Sequence, residues 1–559
     1  VERNSEVAMK RALLLALAGC GANAPEPLDV RFSNSPAVVL SDDRHNVPRK
    51  PDVNLPLNEV DFFDRSFTGP IIRGLEVHTH RRAHAVNALD EAPDSTWFTN
   101  RIGTHDMTPD EIARGPVSDD GPEAHLPWTI RSTKPGGTEL GVLVTDARGV
   151  KYLVSFDDPS RPEMETGTAV VVNRILWAVG YHVPEDSVAY IRSTDLVLAP
   201  DAEIKDHLGN AHGLLDRKTL DRKLANAWHT PDGRIRVMAS KYLPGESLGS
   251  SDPESVRHHD PNDRIPHQRR RDLRGQYPIF AWVGHIDLVA SNFLDMYTTD
   301  IADPSVHYVV HYKVDFGKSL GTMGLTDGYI QEGHVYSFDW VELFKQFFSA
   351  GLWPRPWGKY WAPPLVGVAP TFTAEAFDPG AWKPDLPYAP FDEADRFDMF
   401  WGTKLMARFT PDMIRAAVEA GRFTDPGAVQ YLTQTLIARQ RATMQYWFAR
   451  VNPLDRFAVT NHALCFDDLA IGARFAQPGA THYELVSYND RSQSIGTVTI
   501  PAAPAGPTTC THDVILSTAP DGYTIVEVRT LRDEYAGVTQ VHLARDGAGN
   551  WRVIGIWRL

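Results

Sequence analysis

Gly284-His-Ile-Asp-Leu-Val-Ala-Ser-Asn292 and, after a tyrosine-rich stretch, His311-Tyr-Lys-Val-Asp-Phe-Gly-Lys-Ser-Leu-Gly321 decide how this 559-residue chain reads. They place Asp287, Asn292 five residues on, and the triplet Asp315-Phe316-Gly317 in one order along the sequence. A carboxylate, an amide and a second carboxylate in that order are the parts a phosphoryl-transfer site needs. The first accepts a proton from an attacking hydroxyl, and the other two hold Mg²⁺ against nucleotide phosphates. Singly, Asp287 and Asn292 would read as caps of helices or turns, where such residues are common. Followed by Asp-Phe-Gly, they favour the chemistry.

Reading outward, residues 128–157 make three short strands, Trp128–Lys134, 139–146 and 150–157, with Pro135-Gly136-Gly137 between the first two. A helix over 163–180 follows, its apolar residues recurring at three and four and its end marked by Gly180, and then a strand over 187–192. Residues 201–270 are polar and read as an insertion. From 271 to about 452 the pattern is helical, with Thr410, Pro411 and Gly421 supplying a complete start-and-stop set for one helix. The Pro- and Trp-rich stretch 353–390 reads as a long loop. Beyond Pro453, short alternating runs at close spacing predict an all-β sandwich.

At these residues the chain resembles an atypical protein-kinase-like fold of bacterial lipoproteins and secreted proteins. The segment Asp315–Gly321 is more distantly similar to the magnesium loop of lipid kinases. The resemblance covers residues 128–450 and implies an α+β, bilobal kinase-like fold: an N-lobe with insertion over 126–270 and a helical C-lobe over 271–452, followed by the sandwich at 453–559. It implies Asp287 as catalytic base, Asn292 and Asp315 as ligands of Mg²⁺ or Mn²⁺, ATP or another nucleotide as the partner of that metal, and His285 as a structural brace. Gly136 and Gly137 would cover the phosphates, although a plain hairpin turn suits them equally. The sequence departs from the resemblance on the third strand, where Ser155 stands in place of the phosphate-gripping lysine and Ala169 stands about where its acidic partner belongs. Joint loss is coherent, since one buried charge without the other is costly. Lys151, four residues earlier on the same strand face, is the candidate substitute, with Glu163 or Glu165 as partner; it would reach about 13 Å further along the strand. Lys313 or Lys318 could also supply charge. Phosphotransfer is therefore expected to be weak or absent, and a non-catalytic pseudokinase scaffold or cell-surface assembly protein is the alternative.

The segment Met9-Lys-Arg-Ala-Leu-Leu-Leu-Ala-Leu-Ala-Gly-Cys20 has two cations, a short apolar run and a small-residue site, the pattern of a secretory signal. Its ending resembles a bacterial lipoprotein box, which implies a signal over 1–20, a lipid anchor on Cys20 and, with Gly21 following, the outer membrane, periplasmic or cell-surface. ATP is scarce there. A flexible tether is expected over 21–60 and an N-terminal extension over 61–125. Cys465 and Cys510 then face an oxidising compartment and are expected to form a disulfide, two separate buried thiols being the alternative. A net charge of −15 excludes general nucleic-acid binding, which needs basic surface. The β module is the expected surface for a protein partner. His78, His80 and His84, and His258, His259 and His267, lack metal-site spacing and read as solvated loop histidines. Asp260, Asn262 and Asp263 read as a turn, and the tryptophans at 340, 353, 357, 361 and 382 as packing against the Pro-rich loop.

Overall fold

Three adjacent strands, β1 (Trp128–Thr133), β2 (Gly141–Thr145) and β3 (Lys151–Phe156), form because their alternate residues are apolar and turn to one face. Trp128, Ile130, Val142, Val144, Tyr152, Val154 and Phe156 share one core there. This is a computed structural model, and it describes residues 28–55, 58–75, 81–134, 141–206, 209–322, 333–532 and 535–559. The signal-like segment, Gly136, Gly137, His78 and His80 lie outside the described residues.

β4 (Asp186–Ile191), β5 (Leu196–Lys205), β6 (Ala211–Leu214) and β7 (Ile235–Lys241) complete a seven-stranded sheet of order β4-β7-β3-β2-β1-β5-β6. Helix α1 (Met164–Val179) packs on β4 and β7 against the opposite face. It is buried nearly all round, Thr166, Thr168, Asn173 and Arg174 included. Gly180 ends it at φ 143°, where a Cβ would meet the Phe98 ring at 2.3 Å. The reading of 201–270 as an insertion missed β7, which lies between β3 and β4. Its Arg236 reads as a surface residue in the sequence, yet that side chain is fully buried and pairs with Asp157 at 3.4 Å.

The second half of this unit begins with α2 (Gln276–Val283). A three-stranded sheet, β10-β9-β8, brings together β8 (Glu246–Ser250), β9 (Phe293–Thr299) and β10 (His307–Lys313). The longer helices that follow are α3 (Trp340–Phe348), α4 (Arg396–Met406), α5 (Pro411–Ala420) and α6 (Pro426–Phe448). One core joins α1, α2, α4, α5 and α6 with Phe316, Trp382 and the residues Trp97, Phe98 and Ile102 of the N-terminal extension. The Thr410 cap is present, its side chain accepting from the Met413 amide at 3.3 Å. The element order around the Asp287 loop is that of the kinase-like resemblance. Residues 38–55, expected within a tether, are instead held by long-range backbone bonds. Val47 donates to His307 O at 2.7 Å, and Asn54 donates to Leu248 O and accepts from Ser250, both at 2.8 Å.

Residues 28–37, 88–90 and 451–559 form the other compact unit. Its strands are β11 (Leu454–Thr460), β12 (Ala463–Asp468), β13 (His482–Tyr488), β14 (Ser494–Pro501), β15 (Thr508–Thr511), β16 (Thr524–Arg532), β17 (Tyr535–Arg545) and β18 (Trp551–Arg558). The sheets β11-β12-β15 and β14-β13-β16-β17-β18 close on one core as a sandwich. Cys465 and Cys510 are register partners on β12 and β15 and are joined by a disulfide.

Candidate functional site

Gly284, in the left-handed region at φ 62°, stops α2 and turns the chain into the loop that carries Asp287. His285 locks this loop. Its ring lies 2.9 Å from Ser319 Oγ and packs edge-on against Phe280 and Phe316. Burial lowers its pKa to about 4 against the opposing pull of Asp287, so the ring stays neutral and braces rather than titrates. Backbone bonds from Ile286 to Lys318 O and from Leu320 to Val283 O tie the loop to the segment after Asp315.

Asp287 is almost fully buried, at 6% exposure. Its Oδ2 is 3.2 Å from Lys318 Nζ, and its buried Oδ1 has no hydrogen-bond partner among the described residues. Asn292 closes a short helical turn and donates from Nδ2 to the Asp287 carbonyl at 3.1 Å, which leaves its amide oxygen as the acceptor for a ligand. Val314 donates to the Asn292 carbonyl at 3.1 Å, so the loop and the approach to Asp315 are stitched together. Asp315 is exposed and sits at φ 61°, a conformation uncommon outside glycine that re-aims the chain so that Phe316 enters the core. The absent Cβ of Gly317 would lie 3.1 Å from Glu165 Cγ, 3.3 Å from Glu165 Oε1 and 3.6 Å from Asp315 Oδ1. Glycine here lets the first turn of α1 approach Asp315.

The structure thus brings Asp287, Asn292, Asp315, Lys318 and Glu165 to one region. Burial tends to lower the Lys318 pKa, but the carboxylates of Asp287, Asp385 and Asp315 outweigh it and hold the ammonium charged. Asp385 is the residue that sequence reasoning missed. It lies in the Pro-rich loop and donates its amide to Ile286 O at 3.0 Å. Burial, then the charge of Asp287, raise its pKa to about 7 against the pull of Lys318. No motif marks it, because only the fold carries the loop to Asp287.

The remaining candidates separate. Ser155 is buried on β3 opposite Gly141 and Met238, and Ala169 is a core residue of α1. Lys151 is exposed at the start of β3, four residues from Ser155. Glu163 does not turn to it: its carboxylate accepts from the Thr424 amide and hydroxyl at 2.7 and 2.6 Å. Lys313 is buried over the Phe293 ring at 3.9 Å, its pKa lowered to about 7 by burial despite Asp272 and Asp295. His267, read as solvated, is buried and bonds Asp263 at 2.7 Å. Trp382 is a core residue as expected, whereas Trp353 and Trp361 are exposed.

Among the described residues, no three His, Cys, Asp or Glu side chains converge as a ready-made metal site. The donors that are present still fit a phosphate-borne Mg²⁺ or Mn²⁺: one exposed carboxylate, Asp315, one oriented amide oxygen, Asn292, and a glycine that clears the approach. Such an ion takes one or two protein ligands and completes its shell from water and the nucleotide.

No family model matches the chain, and no curated protein matches it. Among solved structures it is similar to the proinflammatory kinase CtkA of Helicobacter pylori, at 10% identity and TM-score 0.30, over 58% of this chain and 98% of that one. It is also similar to the Golgi casein kinase with Mn and ADP bound, at 11% identity and TM-score 0.28, over 58% and 72% of the two chains. A second structure of the Golgi casein kinase gives 11% identity and TM-score 0.29 over 60% and 75%. The chemistry of the site rests on its own geometry.

Proposed function

We propose that the unit spanning residues 38–87 and 91–450 binds a nucleotide, ATP or a related phosphorylated ligand, with Mg²⁺ or Mn²⁺ at Asp287, Asn292 and Asp315. Phosphate transfer from it is weak or absent. The observation that carries this reading is the buried Asp287 Oδ1 left without a partner beside Lys318. A buried acceptor left unsatisfied costs about 1–3 kcal/mol, and such groups persist where a ligand or reaction uses them. Asp287 would take the proton of an acceptor hydroxyl, with Lys318 at 3.2 Å orienting its carboxylate. Asn292 and Asp315 would hold the cation, whose charge offsets that of the phosphate oxygens. Buried Ser155 in the lysine's place supports slow transfer, and it is equally the observation that favours the second reading, a non-catalytic scaffold.

The proposal extends to location: a lipid anchor on Cys20 in the bacterial outer membrane, with the β-sandwich unit offering the protein-binding surface. The Cys465–Cys510 disulfide supports an oxidising compartment. Among the described residues no helix is long and apolar enough to cross a membrane.

Thermal unfolding of the full chain, titrated with ATP plus Mg²⁺ or Mn²⁺, tests the nucleotide reading. Saturation a hundredfold above Kd should stabilise the wild type by about 2.7 kcal/mol, and Asp315→Ala should abolish the response. A wild type indifferent to both metal–ATP complexes would reject it.

A further inference from the structure

Helix α3 is turned inside out. Its polar side chains face the protein. Glu342 is buried, lies 3.3 Å from Arg355 Nε and accepts from Gln346 Nε2 at 2.8 Å. Asp339, which caps the helix, pairs with Lys383 at 2.5 Å. The apolar side chains face out: Val341, Leu343 and Phe344 are exposed, and Phe347 and Phe348 are 75% and 81% exposed. A surface helix of a soluble protein ordinarily does the reverse. The chain that follows keeps the pattern, with Leu352, Trp353, Tyr360 and Trp361 exposed.

The aromatic face is continuous. Ring centroids step from Phe348 to Phe344 at 6.4 Å, to Trp340 at 6.2 Å and to Phe338 at 5.0 Å. From Phe338 they reach Phe67 at 4.5 Å and then exposed Phe63 at 5.1 Å. A contiguous exposed apolar face marks an interaction site, whereas single exposed residues do not. Phe63 and Phe67 belong to the helical turns Asn58–Phe63 and Asp64–Thr68. From the same turns, buried Arg65 donates to Leu288 O at 2.5 Å and to Pro387 O at 2.8 Å. These turns therefore stand between the aromatic face and the Asp287 loop.

We infer that residues 340–361 dock on an anionic phospholipid bilayer and lie in its interface. Charge selects this occupant. The stretch carries Lys345, Arg355 and Lys359 against one carboxylate, Glu342, and that carboxylate is buried against Arg355. It is thus a cationic stretch on a chain of net charge −15, complementary to anionic headgroups. A second copy of the chain would set the same cations against each other. The rings of Trp353, Tyr360 and Trp361 are of the kind that settle at headgroup level. Lys345 Nζ stands 5.2 Å from the Trp353 ring centroid, a cation at the rim of the apolar face. A helix of nine residues is about 13 Å long, too short for a hydrocarbon core of about 30 Å. With Phe and Leu on one face and Lys at the margin, it suits the plane of the interface. The inference depends neither on the anchor at Cys20 nor on the nucleotide reading.

The test uses the full chain carrying Cys20→Ser, so that no lipid on that residue contributes. A nitrobenzoxadiazole fluorophore on Phe347→Cys should shift to shorter wavelength and brighten about twofold or more when phosphatidylglycerol vesicles are added. Phosphatidylcholine vesicles should give a clearly weaker response, and raised salt should diminish the first. The same fluorophore on Lys218→Cys, an exposed position on another helix, should not respond. A fluorophore on Trp353→Cys should respond as at 347, and adding Phe347→Asp with Phe348→Asp should weaken its vesicle titration about tenfold. Both phenylalanines are exposed, so the thermal unfolding of that variant should match its parent. Labels at 347 and 353 that ignore both vesicles, or that respond equally to both, overturn the inference, as does an unchanged titration in the double-aspartate variant. A shift at 347 that grows with protein concentration without vesicles, together with a dimer mass in sedimentation, would overturn it in favour of a second copy.

Discussion

Asp385 sets the titration of the site. Its carboxyl is held up to about 7 by burial and then by the neighbouring Asp287, with Lys318 pulling the other way. An unfolded aspartate ionises near pH 3.9. Between there and neutrality the unfolded chain gives up this proton while the folded chain keeps it, so this group costs stability as pH rises and the cost levels off above pH 7 or so. The full difference corresponds to at most about 4 kcal/mol; partial solvent contact and the Lys318 pair reduce the expected effect to about 1–2 kcal/mol. Asp385→Asn should therefore stabilise the chain by that much near pH 8 and by clearly less near pH 5, measured by urea unfolding. A gain independent of pH would show that Asp385 does not carry the raised titration. At this scale the sequence disclosed Asp287, Asn292, Asp315 and Lys318, because spacing along one loop and hairpin is local information. Asp385 stayed hidden because only the packing of the Pro-rich loop brings it to Asp287.

At the scale of elements, the junction of β3 with α1 decides where Glu165 stands. Asp157 Oδ1 accepts from the Glu165 and Thr166 amides at 3.2 and 3.0 Å, its Oδ2 accepts from Thr166 Oγ1 at 2.6 Å, and Arg236 lies 3.4 Å away. This one carboxylate satisfies amides of the first turn of α1 and partners a fully buried guanidinium. Asp157→Ala removes the cap and leaves Arg236 without its acid. Breaking a buried pair from one side costs about 3–5 kcal/mol, and the displaced first turn should also weaken the Mg–ATP response. Asp157→Asn keeps an acceptor oxygen and should cost less. Chemical unfolding of the two variants checks the order, and an alanine variant within 0.5 kcal/mol of wild type, about the scatter of surface substitutions, would remove Asp157 from this role. The strands β1 to β3 and helix α1 were legible because their apolar residues repeat at two and at three to four. β7 was not, since its buried Arg236 reads as surface, and residues 38–55 were not, since their backbone bonds reach partners as distant in sequence as Asp94, Leu248 and His307.

On the scale of the whole molecule, the described residues close one core beside the Asp287 loop, one on the far face of the seven-stranded sheet and one in the sandwich. The only disulfide among the described residues is in the sandwich. It joins adjacent strands across a sequence separation of 45 residues, a loop whose closure restricts the unfolded chain by about 4 kcal/mol in the entropic model. That contribution exists only where thiols oxidise, so the proposed export through the segment Met9–Cys20 predicts that the stability of the sandwich unit depends on it. Cells expressing the full chain should attach palmitate to it and yield Cys465 and Cys510 oxidised. Cys20→Ser should lose the label. Deletion of residues 9–20 should retain the protein with both thiols reduced and a sandwich less stable by about 2–4 kcal/mol, while Mg–ATP stabilisation of the other unit is unchanged. Palmitate that persists in Cys20→Ser would remove Cys20 as the anchor, and reduced thiols in the wild-type chain would place the protein in a reducing compartment, where ATP is abundant and the case for weak transfer would rest on Ser155 alone.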